Sequence, residues 1–211
     1  MLKKFLGKEK GITGLETAII LIAFIVVAAV FAYTALSAGL FSTQKAQEAV
    51  YAGLKEARST MELKSSIIAT GNVTGSNGTI GQITFMVSNV LGGESIDFTP
   101  PTSGALGIAT GSSHKIVINY LDSRQAVNNL YWSVTKLGSD DGDYLLEASE
   151  KFQVIVGGVD GSAQGNLIQA LTLFDLGVNI TFTISVITPA GAVLIIERTT
   201  PPYIDKIVDL R

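Results

Sequence analysis

Residues 17–41 read TAIILIAFIVVAAVFAYTALSAGLF, a long stretch that is apolar and carries no charge. A helix needs about 20 such residues to cross a membrane, whereas the apolar part of a typical secretory signal has only about 7–15. The basic residues that precede the stretch keep the N-terminus cytoplasmic and direct the rest of the chain outward; they are Lys3, Lys4, Lys8 and Lys10. The sequence therefore predicts a long N-terminal helix that starts in the cytoplasmic membrane.

The composition of the chain excludes several functional classes. Its 211 residues carry a net charge of -3, are 47% hydrophobic, and include no cysteine and one histidine, His114. Without cysteine there are no disulfides or thiolate metal sites, and a single histidine cannot form a usual zinc site. The slightly acidic balance argues against nucleic acid as a partner, because phosphate binding needs clustered lysine and arginine. No catalytic or nucleotide-binding motif is present, so we expect a protein that is not an enzyme.

Glu16 stands at the start of the apolar stretch, where a carboxylate is costly unless it has a partner. The next cation on its C-terminal side is Lys45, and the nearest on its N-terminal side is Lys10. A cut between Gly11 and Ile12 would create an α-amino group four residues, or one helical turn, before Glu16. That amine and the carboxylate could pair within one chain or between neighbouring chains.

The segment KEKGITGLETAII, residues 8–20, resembles the class III signal of type IV pilins and of archaeal flagellins, or archaellins. In that pattern a basic leader ends in glycine, a prepilin-peptidase-like enzyme cuts after it, and glutamate is the fifth mature residue. Gly11, Ile12 and Glu16 occupy these three positions. Residues 12–41 are similar to archaellins in particular. The resemblance implies a cleaved leader at residues 1–11 and an apolar helix that survives in the mature protein.

The helix is expected to continue well past the apolar stretch. Val50, Leu54 and Met61 fall at helical spacing, which extends the predicted helix over residues 12–68. The following segment, residues 69–79, is rich in Gly, Asn and Thr and predicts a linker. A helix of about 50 residues spans about 75 Å, more than one small domain covers. Lipid or other helices must therefore bury the rest of its surface.

Residues 80–211 change from helical to strand periodicity. In residues 178–186 apolar side chains alternate with polar ones, and similar short segments are separated by turn-forming residues. This pattern predicts an antiparallel β-sandwich. Burial preferences suggest three core residues, namely Trp132, Phe152 and Phe182. The strand order resembles the archaellin outer domain, which implies an immunoglobulin-like sandwich and hence an α+β fold. Residues 91–113 match no part of that pattern and are expected to form a variable loop.

Three Asn-x-Thr triplets are candidate N-glycosylation sites, at Asn72, Asn77 and Asn179. Asn179 alternates with apolar neighbours, so it is expected on the outward face of a strand. Asn72 and Asn77 lie in the predicted linker. The resemblance adds that archaellins are often glycosylated, without fixing which triplets are used.

Asp140, Asp141 and Asp143 form an acidic cluster in the segment GSDDGD. Grouped carboxylates can bind Ca²⁺ or Mg²⁺, and some archaellins carry a metal in the outer domain. The spacing does not fit an EF-hand loop, and Asp and Gly are also typical of a solvated turn. We therefore expect a turn with no cofactor, and keep a structural Ca²⁺ or Mg²⁺ ion at these residues as the alternative.

The resemblance implies the structural subunit of the archaellum, an extracellular filament rotated for swimming. Its expected partners are further copies of itself, packed helix to helix, the leader peptidase, the cytoplasmic membrane before assembly, and the assembly and motor machinery. Two alternatives share the same N-terminus. One is a type IV-like pilin of an attachment filament, and the other is a membrane-tethered binding domain or enzyme that never polymerises.

Overall fold

The computed structural model of this chain describes residues 9–90, 92–104, 107–138, 141–157 and 167–210. Most of the predicted leader and Asp140 lie outside these residues. The chain divides into two compact units, Met1–Ala52 and Gly53–Arg211, whose boundary falls inside the first helix.

The first helix, α1, runs from Glu9 to Arg58 and has 50 residues, which corresponds to a length of about 75 Å. Its uncharged part, residues 17–44, contains three threonines whose side chains would be costly to bury without a partner. Each hydroxyl donates to the carbonyl three residues earlier in the helix. The acceptors are Gly14 for Thr17 (3.0 Å), Phe31 for Thr34 (2.8 Å) and Leu40 for Thr43 (2.9 Å). These hydroxyl groups therefore need no contact with water.

The described residues after α1 form fourteen strands and one short helix. They are β1 (Met61–Leu63), β2 (Ile67–Val73), β3 (Thr79–Asn89), β4 (Ile96–Asp97), β5 (Thr102–Ser103), β6 (Ala109–Thr110), β7 (Val117–Asp122), β8 (Ala126–Val127), β9 (Trp132–Leu137), β10 (Leu145–Leu146), β11 (Lys151–Val156), α2 (Leu167–Ala170), β12 (Thr181–Ile187), β13 (Val193–Thr199) and β14 (Ile207–Leu210). All strand pairs are antiparallel. The larger sheet has the order β14-β2-β3-β11-β9, with β1 also on β3, and the second has the order β13-β12-β7-β8.

The predicted fold class is confirmed, because the long helix is followed by antiparallel sheets that share one core. Trp132, Phe152 and Phe182 are each at most 1% exposed, as predicted. Phe98 joins them from the segment that was expected to be a loop. Its ring contacts Trp132 and Phe152 edge-on, at centroid distances of 5.9 and 5.7 Å.

The predicted end of the helix at residue 68 is wrong, since α1 ends at Arg58. The Ser59 hydroxyl donates to the Lys55 carbonyl (2.8 Å) and the Thr60 hydroxyl donates to the Ala57 carbonyl (3.0 Å). These bonds satisfy carbonyl groups that the end of a helix leaves open. Met61 then pairs with β3 and is 7% exposed, so sheet pairing overrides the helical spacing.

The predicted linker at residues 69–79 is also wrong, because most of it belongs to β2 and the start of β3. The strand holds Ala69 fully buried, and its register shifts at Gly71. A Cβ atom on Gly71 would lie 2.6 Å from the Asp205 carbonyl oxygen. Glycine is therefore needed there for close backbone packing, although in the sequence it suggested a flexible break.

The turn between β7 and β8 is organised by the buried carboxylate of Asp122. It accepts hydrogen bonds from the backbone amides of Arg124 (2.6 Å) and Gln125 (2.8 Å), and from the Tyr120 hydroxyl (2.8 Å). Burial alone would raise the pKa of Asp122, but these hydrogen bonds and the nearby Arg124 charge hold it below its ordinary value. Burial, together with Asp122, raises the pKa of the Tyr120 hydroxyl far above its usual range. The turn is thus fixed by an ionised group inside the β domain.

Candidate functional site

The exposed surface of α1 is the candidate functional site of this chain. Every described side chain from residue 14 to residue 58 is exposed, including Phe31 and Tyr33 at 74% each. Runs such as Ile19–Ile22 point in all directions around the axis, so the helix is apolar on every side between Thr17 and Phe41. Such a helix is stable only when lipid or other helices surround it. Its segment from Gly14 to Arg58 is long and apolar enough to cross a membrane.

Small residues line one face of this helix. Ala28, Ala32, Ala35 and Gly39 recur at intervals of four, three and four residues, so they share a face of α1. A Cβ atom on Gly39 would meet nothing within 4 Å in the chain. The face is therefore open to a close backbone approach by another helix.

The predicted cleavage and assembly residues lie at the start of α1. Gly11 and Ile12 are in helical backbone, and Glu16 is exposed one turn later. Among the described side chains, no ion pair involves Glu16. In the uncut chain Ile12 carries an amide, so the amine that was proposed as a partner for Glu16 exists only after cleavage.

The three candidate glycosylation residues lie at one end of the β domain and are exposed. Asn72 is in β2, Asn77 is in the turn before β3, and Asn179 has a φ of 54° just before β12. The Ile80 amide donates to the Leu176 carbonyl at 2.9 Å, which ties β3 to the segment that carries Asn179. All three side chains are accessible to modification.

In the acidic cluster, two carboxylates have a local role. The Asp141 carboxylate accepts the amide of Asp143 (3.1 Å), and the Asp143 carboxylate accepts the amide of Leu145 (2.7 Å). These contacts are typical of aspartates that close turns. No group of three metal-binding side chains occurs among the described residues, and Asp140 is not one of them, so a metal ion here stays a prediction.

A long helix whose described side chains from residue 14 onward are all exposed, followed by a compact β domain, defines a subunit that needs lipid or other helices around its apolar part. A family model for archaeal-type flagellins matches residues 11–198. The chain belongs to this family.

Individual relatives agree with the family match. The chain is 38% identical over 212 residues to "Probable flagellin 1" of Archaeoglobus fulgidus, covering 98% of both chains. It is 31% identical over 208 residues to "Probable flagellin 1" of Aeropyrum pernix, covering 92% of this chain and 93% of the relative. Its structure is similar to that of the archaeal flagellum of Methanospirillum hungatei strain JF1. That comparison has a TM-score of 0.60 and 26% identity, and covers 93% of this chain and 98% of the other.

Proposed function

We propose that this chain is the structural subunit of an archaellum filament, an extracellular homopolymer rotated for swimming. The surface of α1 carries the proposal, because copies of the same helix would bury its apolar side chains on every side. Membership of the flagellin family supports a swimming filament rather than an attachment filament. The chain contributes structure and no catalysis, so rotation and assembly depend on motor and assembly proteins.

The chain is made as a precursor whose leader, residues 1–11, is removed by a prepilin-peptidase-like enzyme in the cytoplasmic membrane. The family model begins its match at residue 11, next to the proposed cut. Gly11 is the residue before the cut, and Gly14 is the third residue after it. Glycine is about 1 kcal/mol less favourable than alanine in a helix. Unwinding the start of α1 for a peptidase therefore costs little.

After cleavage α1 leaves the lipid and packs among other copies in the filament core. Both environments are apolar, so the hydrophobic free energy changes little. Close packing at the small-residue face then favours the filament. The hydroxyls of Thr17, Thr34 and Thr43 are bonded within the helix, so these three groups need no new partner during the transfer.

Cleavage also gives Glu16 a partner. The new α-amino group of Ile12 lies one turn before Glu16 in the same helix and near the same end of a neighbouring helix. An ion pair in the dry filament core removes the cost of an isolated carboxylate. Only processed subunits offer this pair, so assembly is coupled to cleavage.

The decisive experiment substitutes Gly11→Val and follows both leader removal and filament formation. We expect uncleaved precursor to accumulate in the membrane fraction and filaments to be lost. Gly14→Ala is the matched control, because it changes a nearby glycine inside the mature sequence and should leave cleavage intact. Filaments whose subunits begin at Met1 would overturn this proposal, and N-terminal sequencing of shed filaments detects them.

The exposed triplets at Asn72, Asn77 and Asn179 are proposed to carry N-linked glycans in the assembled filament. Their shared position would concentrate the glycans at one end of the β domain. Mass spectrometry of filament peptides tests each site, with single Asn→Gln variants as controls. Unmodified masses for all three peptides would contradict the proposal.

A further inference from the structure

The outward face of the four-stranded sheet carries an apolar patch at one end. Ile187 pairs with Val193 on one neighbouring strand and with Val117 on the other, so their side chains form a row across three strands. Ile195 lies two residues beyond Val193 on the same face. Val193 is 49% exposed and Ile195 is 65% exposed. We call these four residues, Val117, Ile187, Val193 and Ile195, the β13 patch.

The other end of the same face is polar, as is usual for a sheet with one face in water. There Thr183 pairs with Glu197, and Thr181 pairs with Thr199. In β13, by contrast, the inward residue Ile196 is also apolar and is 2% exposed. A strand that is apolar on both sides is typical of a sheet covered on both faces. The exposed side chains of Val193 and Ile195 leave this apolar surface open to another chain, and β13 is also the edge strand of its sheet.

The patch lies at the end of the β domain that contacts the last turn of α1. The turn from β12 to β13 is closed by a hydrogen bond from the Gly191 amide to the Thr188 carbonyl (3.0 Å). A Cβ atom on Gly191 would lie 3.9 Å from the Glu56 carboxyl group. Lys55 from the last turn of α1 and Pro189 from the β12–β13 turn both line a cleft of about 280 Å³. The turn that joins the two strands of the patch therefore lies beside the C-terminal end of α1.

We infer that a second copy of this chain covers the β13 patch in the filament. The inference rests on the proposed assembly through α1, which brings other copies next to the helix end. Linked binding sites act at high effective concentration, so a neighbouring copy is the partner that this surface meets most often. An open helical assembly also needs two different contact surfaces on each subunit, and the patch supplies one that is separate from α1.

The absence of native cysteine allows a direct test with one introduced thiol. Ile195→Cys is compared with Thr199→Cys, an exposed position on the same strand and the same face at the polar end. Maleimide labelling rates are measured in intact filaments and in full-length subunits dissociated by mild detergent. We expect labelling at position 195 to slow by about ten-fold or more on assembly, the factor that corresponds to about 1.4 kcal/mol of contact free energy. Labelling at position 199 should change little.

Equal labelling of position 195 in filaments and in subunits would overturn the inference. Equal protection of both positions would also overturn it, because that result would reflect general shielding by the filament. Ile195→Lys gives a second readout, with Thr199→Lys as its control. The first should lower filament yield while leader removal stays normal, whereas loss of leader removal would point instead to a failure of the proposed processing.

Discussion

Replacement of Asp122 by asparagine tests whether one ionised side chain stabilises the β domain. The Asp122 side chain is completely buried and accepts three hydrogen bonds. Asparagine keeps one oxygen for the two backbone amides but removes the charge. It also places an amide group where the Tyr120 hydroxyl now donates, so that hydroxyl must turn round to accept a bond.

The expected loss follows from these three contacts. A hydrogen bond to a charged group contributes about 1.5–3 kcal/mol, and a neutral one about 0.5–1.5 kcal/mol. Weakening the two amide bonds by about 1 kcal/mol each gives a loss of about 2 kcal/mol for Asp122→Asn. Asp122→Ala leaves two amides and one hydroxyl without an acceptor, at about 1–3 kcal/mol each. The alanine variant should therefore lose about 4 kcal/mol or more.

Trp132 provides the assay, because it is the only tryptophan and is fully buried. Urea unfolding of the full chain in mild detergent is followed by tryptophan fluorescence. The free energy of unfolding should be highest for the wild type, lower for Asp122→Asn and lowest for Asp122→Ala. The pKa of Asp122 is lowered in the folded chain. Its contribution to stability is therefore present above the ordinary aspartate pKa of about 3.9 and is lost as the pH falls through the folded value.

The difference between wild type and Asp122→Asn should therefore be full at pH 7 and shrink in acid. Two results would refute this reasoning. One is equal stability of the two chains at pH 7. The other is a difference of unchanged size from pH 7 down to pH 2, which would mean that the charge of Asp122 plays no part.

Three further predictions concern the helix and the core. Glu16→Gln should leave leader removal intact but reduce filament yield by about ten-fold, if the ion pair with the new amine contributes about 1.4 kcal/mol; a yield equal to wild type by sedimentation would argue against the pair. Gly39→Leu should block filament formation by filling the small-residue face, whereas Gly39→Ala should be tolerated and add helicity by circular dichroism; filaments of normal yield from the leucine variant would show that this face is not packed closely. Phe98→Ala should cost about 3–5 kcal/mol by removing a buried ring from Trp132 and Phe152; an unchanged urea midpoint would show that the ring contributes little.

The helix and the core were predictable because their signals are local. The apolar residues from Thr17 to Phe41 indicate a long helix by themselves, and alternation identifies strands such as β12. The end of α1 was mispredicted because Met61 depends on pairing with Asn89, a contact that is distant in sequence. The burial of Phe98 was missed because it lies just after β4, a strand of two residues that is too short to show any periodicity.

At the candidate site, sequence identified the apolar surface of α1 and the accessible asparagines. It did not identify the β13 patch, because Val193 and Ile195 look like ordinary strand residues until the sheet assigns them to the outward face. Asp122 was missed for a related reason. The sequence does not distinguish a buried aspartate from an exposed one. Only the folded structure shows the hydrogen-bond donors that surround Asp122.

An apolar surface that encircles α1 has a mechanical consequence. A helix with one narrow contact stripe has neighbours on one side only, whereas α1 is apolar on every side between Thr17 and Phe41 and can be surrounded by neighbours. The small-residue face still sets which neighbour approaches most closely. Bending of such a filament is then shared among several helix contacts around each subunit, so that no single contact takes up the whole strain.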